Sequence, residues 1–524
     1  MLNELNRRKG EKVHKSTPNE DHNDIIPAKP SERLQQQYKR KLFYILATLT
    51  LLNFIAGSLF ILRFYYQDHL PPYKISNDYI TWNIDENEQF ARKAADGAKP
   101  MLIKGSVVNK WYAMKRWNID YLTKKINKLN NVYTNTNKWF GPYYDPNKDF
   151  APFVARRNPY KDDVTMKSAD FFQHISTKVE EQDLFLYYTG GIDSIGQWAS
   201  VDVQPIEELI SLKPSHNSIN VWLGEPGVIA HMHYCEYHNF YVQIQGSKKF
   251  TVFSPSEWIH VYPYPYLHPH HAQAQVNISN VNDTDKFPFI TKATGMEITL
   301  EPGDLLYLPP LWFHHVEALE TSISVNAWSD SEQTPIVKRI FSHDVPISEE
   351  NERNKAISTV LIIDGIFDRV CARKKCLGLI EEELWNRYNT TYQVVLKRKS
   401  TYQLFKMYKI RYKLTQRVLE YSIGSHSPWS DEYNGMLCEG EELYEELVRD
   451  VIKEMYSGRN KVLLNAYLQN IANLVAKLPN DTWEIWLGNY IEFLAFNTVP
   501  VEMVGNFFKH SFSCLEIAFE NSLL

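Results

Sequence analysis

The stretch Ala230-His231-Met232-His233-Tyr234-Cys235-Glu236-Tyr237-His238-Asn239-Phe240 decides how this chain is read. It packs three histidines, a cysteine and a carboxylate into one short run. Extended chain sends alternate side chains to one face. A regular strand here would turn His231, His233 and Cys235 the same way. Further on comes Leu308-Pro309-Pro310-Leu311-Trp312-Phe313-His314-His315-Val316-Glu317-Ala318. There His314 is in phase with Val316 and Ala318 and is expected to point inward. His315 is in phase with Glu317 and is expected to face solvent. One inward histidine meeting a His-x-Cys pair offers the donor types of a metal site. The same residues packed without a metal are the alternative.

Outward from this stretch, residues 219–328 read as short strands with Gly and Pro breaks, the pattern of a β-barrel or sandwich. In the strand 248–254, Lys248 shares a face with Phe250 and Val252. A lysine on an apolar face needs an anionic partner, unless it snorkels from the strand's end. Both readings stand on spacing alone. Before the barrel, 99–105 reads as a strand, 140–149 as loop, 168–181 as a helix with Ala169, Phe172 and Ile175 on one face, and 184–188 as a strand. After Ser329 the periodicity turns helical. A new unit is expected to open near residues 361–365, and 381–410, 441–456 and 460–478 read as amphipathic helices.

The front of the chain is different. Residues 1–40 are polar and charged and read as a disordered tail. From 42 to 62 the sequence LFYILATLTLLNFIAGSLFIL carries no charge, which is the length of a membrane-spanning helix. Aromatics flank it at Phe43 and Tyr44 and at Phe64, Tyr65 and Tyr66. A buried core helix is the alternative, but such a helix normally keeps a polar face. Arg33, Lys39, Arg40 and Lys41 precede the run and only Arg63 and Lys74 follow closely. The positive-inside rule then puts the N-terminus in the cytosol. The expectation is a single-pass type II membrane protein with its C-terminal domain in the endoplasmic reticulum or Golgi lumen, or outside the cell. Sequons at Asn277, Asn282, Asn389 and Asn480 agree with a glycoprotein on that side. A net charge of -5 and 23% charged residues argue against a nucleic-acid partner. Of five cysteines, Cys371, Cys376, Cys438 and Cys514 lie outside the barrel. A lumenal location would let them pair, while buried free thiols are the other reading.

Several motifs together resemble one family. They are Trp222-Leu223-Gly224-Glu225-Pro226-Gly227, His233-Tyr234-Cys235, and Asn239 through Gly246-Ser247-Lys248-Lys249-Phe250. Tyr262-Pro263-Tyr264-Pro265, His268-Pro269, Glu301-Pro302-Gly303-Asp304-Leu305-Leu306-Tyr307-Leu308-Pro309 and Val325-Asn326-Ala327-Trp328 continue the series. In order and spacing they resemble the JmjC/cupin-like 2-oxoglutarate oxygenases, nearest to the asparaginyl hydroxylases that act on hypoxia-inducible factor. The likeness covers roughly residues 100–328. It implies an α+β fold: a double-stranded β-helix (jelly-roll/cupin) core flanked by helices, with a helical C-terminal region behind it and the transmembrane helix in front. The expected division is 1–41 tail, 42–64 transmembrane helix, 65–90 stem, 91–335 JmjC/cupin-like domain and 336–524 helical region.

The resemblance also implies chemistry. Such proteins hold Fe(II) with two histidines and a carboxylate and use 2-oxoglutarate and oxygen to hydroxylate or demethylate a substrate. Carried over, the metal ligands are His233, Cys235 and His314. Lys248 pairs with the distal carboxylate of 2-oxoglutarate, which decides between its two readings. Asn239 and Asn326 are cofactor-binding pocket residues and Trp328 walls the pocket. No catalytic residue is expected beyond the metal centre. Three departures stand out. Cys235 replaces the acidic ligand, Ala230 replaces a threonine, and Phe185 replaces a tyrosine that would reach the co-substrate. A thiolate also suits zinc. Two functions follow: a hydroxylase of protein substrates, or a binding module that kept the barrel and lost turnover. A homodimer through the C-terminal helices is a further expectation.

Overall fold

The structure is a computed structural model. It describes residues 32–69, 71–83, 99–140, 162–177, 184–204, 218–266, 271–347, 352–371 and 450–496, with positions 376, 378, 384, 387, 507 and 508. The polar tail to residue 31, residues 70 and 84–90 of the expected stem, the loop 141–149, His268 and Pro269, the sequon at Asn389, Cys438 and Cys514 lie outside the described residues. So does nearly all of the helices expected at 381–410 and 441–456; residues 450–455 of the second are helical.

The chain divides into two compact units, residues 1–70 and 71–524. In the first, Glu32–His69 is one helix. Its described side chains from Leu42 to Ile55 are exposed all round, Phe43 at 69% and Phe54 at 73% among them. The hydroxyls of Thr48 and Thr50 donate to the carbonyls of Tyr44 and Leu46, each at 2.8 Å, so neither is left without a partner on the helix surface. Among the described residues no helix is long and apolar enough to cross a membrane. The side chains of residues 59–69, into which the uncharged run continues, are not among them.

Among the described residues of the second unit, fifteen strands form two sheets. The smaller contains β1 (Lys74–Ser76), β5 (Trp139–Phe140), β9 (Ile229–His233), β11 (Lys248–Phe253), β12 (Thr294–Leu300) and β14 (Phe313–Ala318), in the order β1-β12-β11-β14-β9-β5. The larger contains β2 (Ile80–Asn83), β3 (Met101–Lys104), β4 (Lys128–Asn135), β6 (Asp162–Lys167), β7 (Phe185–Gly191), β8 (Ser218–Gly224), β10 (His238–Gln245), β13 (Leu305–Leu308) and β15 (Ser322–Ser329). Its order is β2-β3-β13-β10-β15-β8-β7-β4-β6. From β8 to β15 the chain passes repeatedly between the sheets, which gives an eight-stranded jelly roll.

Period-two patterning explains why these strands are buried on both faces. In β10, Tyr241 faces the space between the sheets, while Phe240, Val242 and Ile244 join a core outside the larger sheet. That outer core is closed by helices such as Ser168–Ser176, which buries Phe171, Phe172 and Ile175. Ala169, expected on its inner face, is exposed, and Phe171 takes that place. Between the sheets, Tyr241, Leu306 and Leu308 meet Phe250, Val252 and Ile298. At the β10–β11 turn, Gly246 has φ +68°, and a Cβ there would run into the Thr321 carbonyl oxygen, so only glycine fits.

The smaller sheet's outer face is covered by the C-terminal helices. Phe253, Phe313 and Met232 share one core with Leu361 and Ile362 of helix Glu352–Val370, Leu468 of Gly458–Val475 and Trp486 of Trp483–Phe496. Residues 361–365 therefore open no separate unit: they lie mid-helix against the barrel. The buried Arg387–Glu492 ion pair ties this layer together. The Arg387 guanidinium sits 4.4 Å from the Trp258 ring centre, and Glu492 accepts the Tyr266 backbone N–H at 2.8 Å. Cys371 and Cys376 form a disulfide at the end of Glu352–Val370.

Candidate metal centre and carboxylate pocket

The end of β9 and the start of β14 lie side by side, with His233 directly opposite His314. Their ring centres are 4.2 Å apart. On β9's other edge, His233 is bridged to Gln273, so backbone holds it from both sides. The Nδ1 hydrogen of each ring is committed locally. His233 Nδ1 donates to the His231 carbonyl at 2.8 Å, and His314 Nδ1 to the Trp312 carbonyl at 2.9 Å. Those bonds select the tautomer whose Nε2 carries the lone pair, the arrangement of metal-binding imidazoles. Burial lowers both pKa values, His314 to about 3, with His233 adding to the fall. Both rings are neutral and ready to ligate.

Cys235 supplies the third donor. One ligand atom from each of His233, Cys235 and His314 lies within 4.8 Å of the others. Its backbone is fixed because Leu311 donates its N–H to the Cys235 carbonyl at 2.7 Å. Leu311 adopts φ +65°, a conformation rare for a branched side chain, in the Pro-Pro turn that feeds β14. Burial, with Glu236 nearby, pushes the Cys235 thiol up to about 12. A metal must therefore displace the proton to bind there.

His231 does not join this group. The β9–β14 register slips between His314 and Val316, which pair with His233 and Ala230, so β9 carries an extra residue. This bulge breaks the alternation a regular strand would impose. Ala230 and His233 both face the pocket, while His231 bonds the Ala274 carbonyl at 2.7 Å and meets Trp139 edge-on. His315, expected in solvent, is buried at 3% exposure on the same outer side, with His231 and Trp139 against it. The phase argument gave its face correctly, but that face is covered.

A pocket of about 490 Å³ opens beside the histidines. Its lining includes Ala230, His233, Asn239, Lys248, His314, Asn326 and Trp328, so the structure brings the sequence-derived residues together. Cys235 stands at the metal end and is not part of the lining. Lys248 is 1% exposed, and its Nζ donates to the hydroxyls of Tyr241 at 2.8 Å and Tyr187 at 3.4 Å. Among the described residues no carboxylate pairs with it. Burial lowers its pKa to about 7. Asn326 donates to Asn239 Oδ1 at 2.9 Å and accepts from Trp222 Nε1 at 2.7 Å, which fixes the pocket floor. Trp328 packs edge-on against Trp222.

Tyr187 was missed in the sequence. Phe185, the position of a lost hydroxyl by resemblance, lies outside this pocket. Tyr187, two residues on and in the same strand phase, carries the hydroxyl to Lys248. That phase was the available signal.

The residues fit a divalent metal and a carboxylate-bearing ligand. Two neutral imidazoles and a thiol can hold the metal, and an otherwise unpaired buried ammonium awaits an anion. The donor set differs from the two-histidine, one-carboxylate set suited to Fe(II) at the single position Cys235.

Residues 87–334 match the Cupin-like domain family. Over 236 residues the chain is 24% identical to lysine-specific demethylase 8 of Xenopus tropicalis, covering 44% of this chain and 48% of that protein. It is 25% identical over 260 residues to tRNA wybutosine-synthesizing protein 5 of Mus musculus, covering 46% and 73%. It is 30% identical over 134 residues to the human bifunctional peptidase and (3S)-lysyl hydroxylase JMJD7, covering 22% and 42%. The chain spans about a quarter to a half of the length of the first curated relatives it matches.

Proposed function

We propose that this protein is a membrane-anchored hydroxylase of protein substrates that depends on 2-oxoglutarate and a divalent metal. The observation that carries the reading is Lys248: a buried cation without a carboxylate partner among the described residues, in the same pocket as two converging neutral histidines. The match of this segment to JmjC relatives, one of them named as a lysyl hydroxylase, supports it. The nearer likeness to the asparaginyl hydroxylases belongs to the same proposal.

The roles divide as follows. His233, His314 and Cys235 hold the metal, which with 2-oxoglutarate supplies oxygen chemistry when bound. Lys248, with Tyr187 and Tyr241, fixes the far carboxylate of the co-substrate and so sets its orientation. Asn239 and Asn326 hold the floor, and Trp222 and Trp328 exclude water from one side.

Residues 42–62 anchor the protein, with the N-terminus in the cytosol and residues 71–524 in the secretory lumen or outside the cell. Support comes from the described apolar side chains exposed all round helix Glu32–His69, a pattern a water-soluble surface does not favour. The Cys371–Cys376 disulfide fits an oxidising compartment. Asn480 is exposed between two helices, where a glycan has room. Exposed Val462 and Leu463 support a homodimer through the C-terminal helices.

The second reading is a binding module without turnover, and Cys235 is the observation that favours it. The test loads wild type and Cys235→Asp with iron(II) anaerobically, then adds 2-oxoglutarate and oxygen and measures succinate. The hydroxylase reading predicts succinate from both, faster with Asp. Succinate from Cys235→Asp alone supports the binding module. Succinate from neither protein refutes the hydroxylase reading.

A further inference from the structure

We propose that the His233–Cys235–His314 face is a zinc site, with Cys235 bound as thiolate, and that it retains zinc in preference to iron(II). The inference rests on the reading of the pocket as a metal site and sides with the binding-module reading over the hydroxylase one, because zinc supplies no oxygen chemistry.

The donor chemistry comes first. His233 and His314 each give their Nδ1 hydrogen to a backbone carbonyl, which leaves two Nε2 lone pairs for a metal. The third donor is sulfur, in place of a hard carboxylate. Imidazole and thiolate together are a zinc ligand set, and a catalytic-type zinc site uses three protein ligands with the fourth position open. Here His233 and His314 line the pocket together with Asn239, so a fourth ligand would reach the metal from the pocket.

The geometry allows it. Zinc bonds of about 2.0–2.3 Å in a tetrahedron put ligand atoms roughly 3.3–3.7 Å apart. The three donors already lie within 4.8 Å of one another, so the site closes by about 1 Å. The histidines are fixed by strand pairing. Cys235 lies past the end of β9 with its carbonyl pinned by Leu311, so rotation about its Cα–Cβ bond is the available movement. On binding, the S–H bond breaks, its proton passes to solvent, and a sulfur–zinc bond forms.

A second observation is independent of the donor set. Cys371 and Cys376 are paired, while Cys235 stays a free thiol. Where disulfides form, a retained thiol is what a metal ligand requires. Zinc has no redox chemistry and leaves the sulfur intact. Iron with oxygen beside a thiolate would carry the sulfur up the oxidation ladder.

The experiment uses the full chain in detergent, stripped by chelator and reloaded without oxygen. Cobalt(II) reports the ligands: wild type should show a sulfur-to-cobalt charge-transfer band in the near ultraviolet. Zinc should displace the cobalt at one equivalent, and iron(II) should not. Cys235→Asp should lack the band, and its preference for zinc over iron should fall by about tenfold or more. Cys235→Ser, close in size, should bind cobalt without the band, and its unchanged metal-free melting curve shows that the fold is kept. Absence of the band in wild type, equal uptake of iron and zinc by wild type, or unchanged selectivity in Cys235→Asp overturns the proposal. Titrating 2-oxoglutarate into the same zinc-loaded samples, with Lys248→Met beside them, tests the co-substrate reading on its own. No 2-oxoglutarate binding by zinc-loaded wild type, or undiminished binding by Lys248→Met, with the sulfur band intact, sinks that reading and leaves the zinc site standing.

Discussion

Replacing Lys248 with methionine should stabilise the ligand-free protein while destroying its ligand site. Burial takes the Lys248 pKa from 10.5 to about 7. At about 1.36 kcal/mol per pH unit, this costs the folded state on the order of 5 kcal/mol at pH 7 and below. Methionine removes that cost and fills a similar volume beside Phe250. Against this, the Tyr241 and Tyr187 hydroxyls lose their donor, at about 1 kcal/mol each. The net gain is about 3 kcal/mol. The sign against pH follows from the direction of the shift. Between pH 7 and 10.5 the unfolded chain binds more protons than the folded one, so wild-type stability rises with pH across that window. Lys248→Met lacks this rise, so its advantage is greatest at pH 7 and below and fades by pH 10.5. Thermal or denaturant unfolding of the metal-free residues 71–524, held in the full chain, reads both effects. A variant that unfolds before wild type at pH 7, or an advantage that does not shrink by pH 10, would refute the picture of Lys248 as a buried cation kept for a ligand.

Other perturbations separate neighbouring claims. Tyr187→Phe should weaken 2-oxoglutarate binding by about 1 kcal/mol in calorimetry, whereas Phe185→Tyr should leave it unchanged because Phe185 lies outside the pocket; the reverse order would restore Phe185 to the site. Arg387→Ala removes the buried cation paired with Glu492 and should cost about 3–5 kcal/mol of stability, and a loss under 1 kcal/mol in denaturant melts would remove the pair from the core. Protease added to sealed microsomes should trim only the N-terminal tail, and digestion of residues 71–524 without detergent would reject the proposed topology.

The barrel was legible because its signals are local. Period-two runs separated by Gly and Pro mark β8–β15, and Gly246 sits where a positive φ is forced. Phase within their own strands put His314 and Lys248 on inward faces, while the roles of His233, His314 and Lys248 came from the family resemblance. What escaped depends on a neighbour. The β9 bulge is a property of its pairing with β14, and nothing in residues 229–233 announces it. That slip removed His231 from the site. His315 was placed in solvent because strand phase gives a face but not what lies over it; here Trp139, on a strand far back in sequence, covers it. Residues 361–365 looked like a boundary because helical periodicity does not reveal which sheet a helix packs on. Tyr187 is not legible from the resemblance, which matches Phe185; the hydroxyl that reaches Lys248 sits two residues further along the same strand face.

The most direct test of the central claim, that one pocket joins a metal to a dicarboxylate, is their binding linkage. The full chain is titrated with 2-oxoglutarate by calorimetry without oxygen, with and without one equivalent of divalent metal. The account predicts binding at least about fivefold tighter with metal present, the low end of ordinary coupling between sites. The gain should vanish in His233→Ala and in His314→Ala, and Lys248→Met should abolish binding in either state. Binding of equal strength with and without metal, or a metal-dependent gain that survives loss of both histidines, would contradict it.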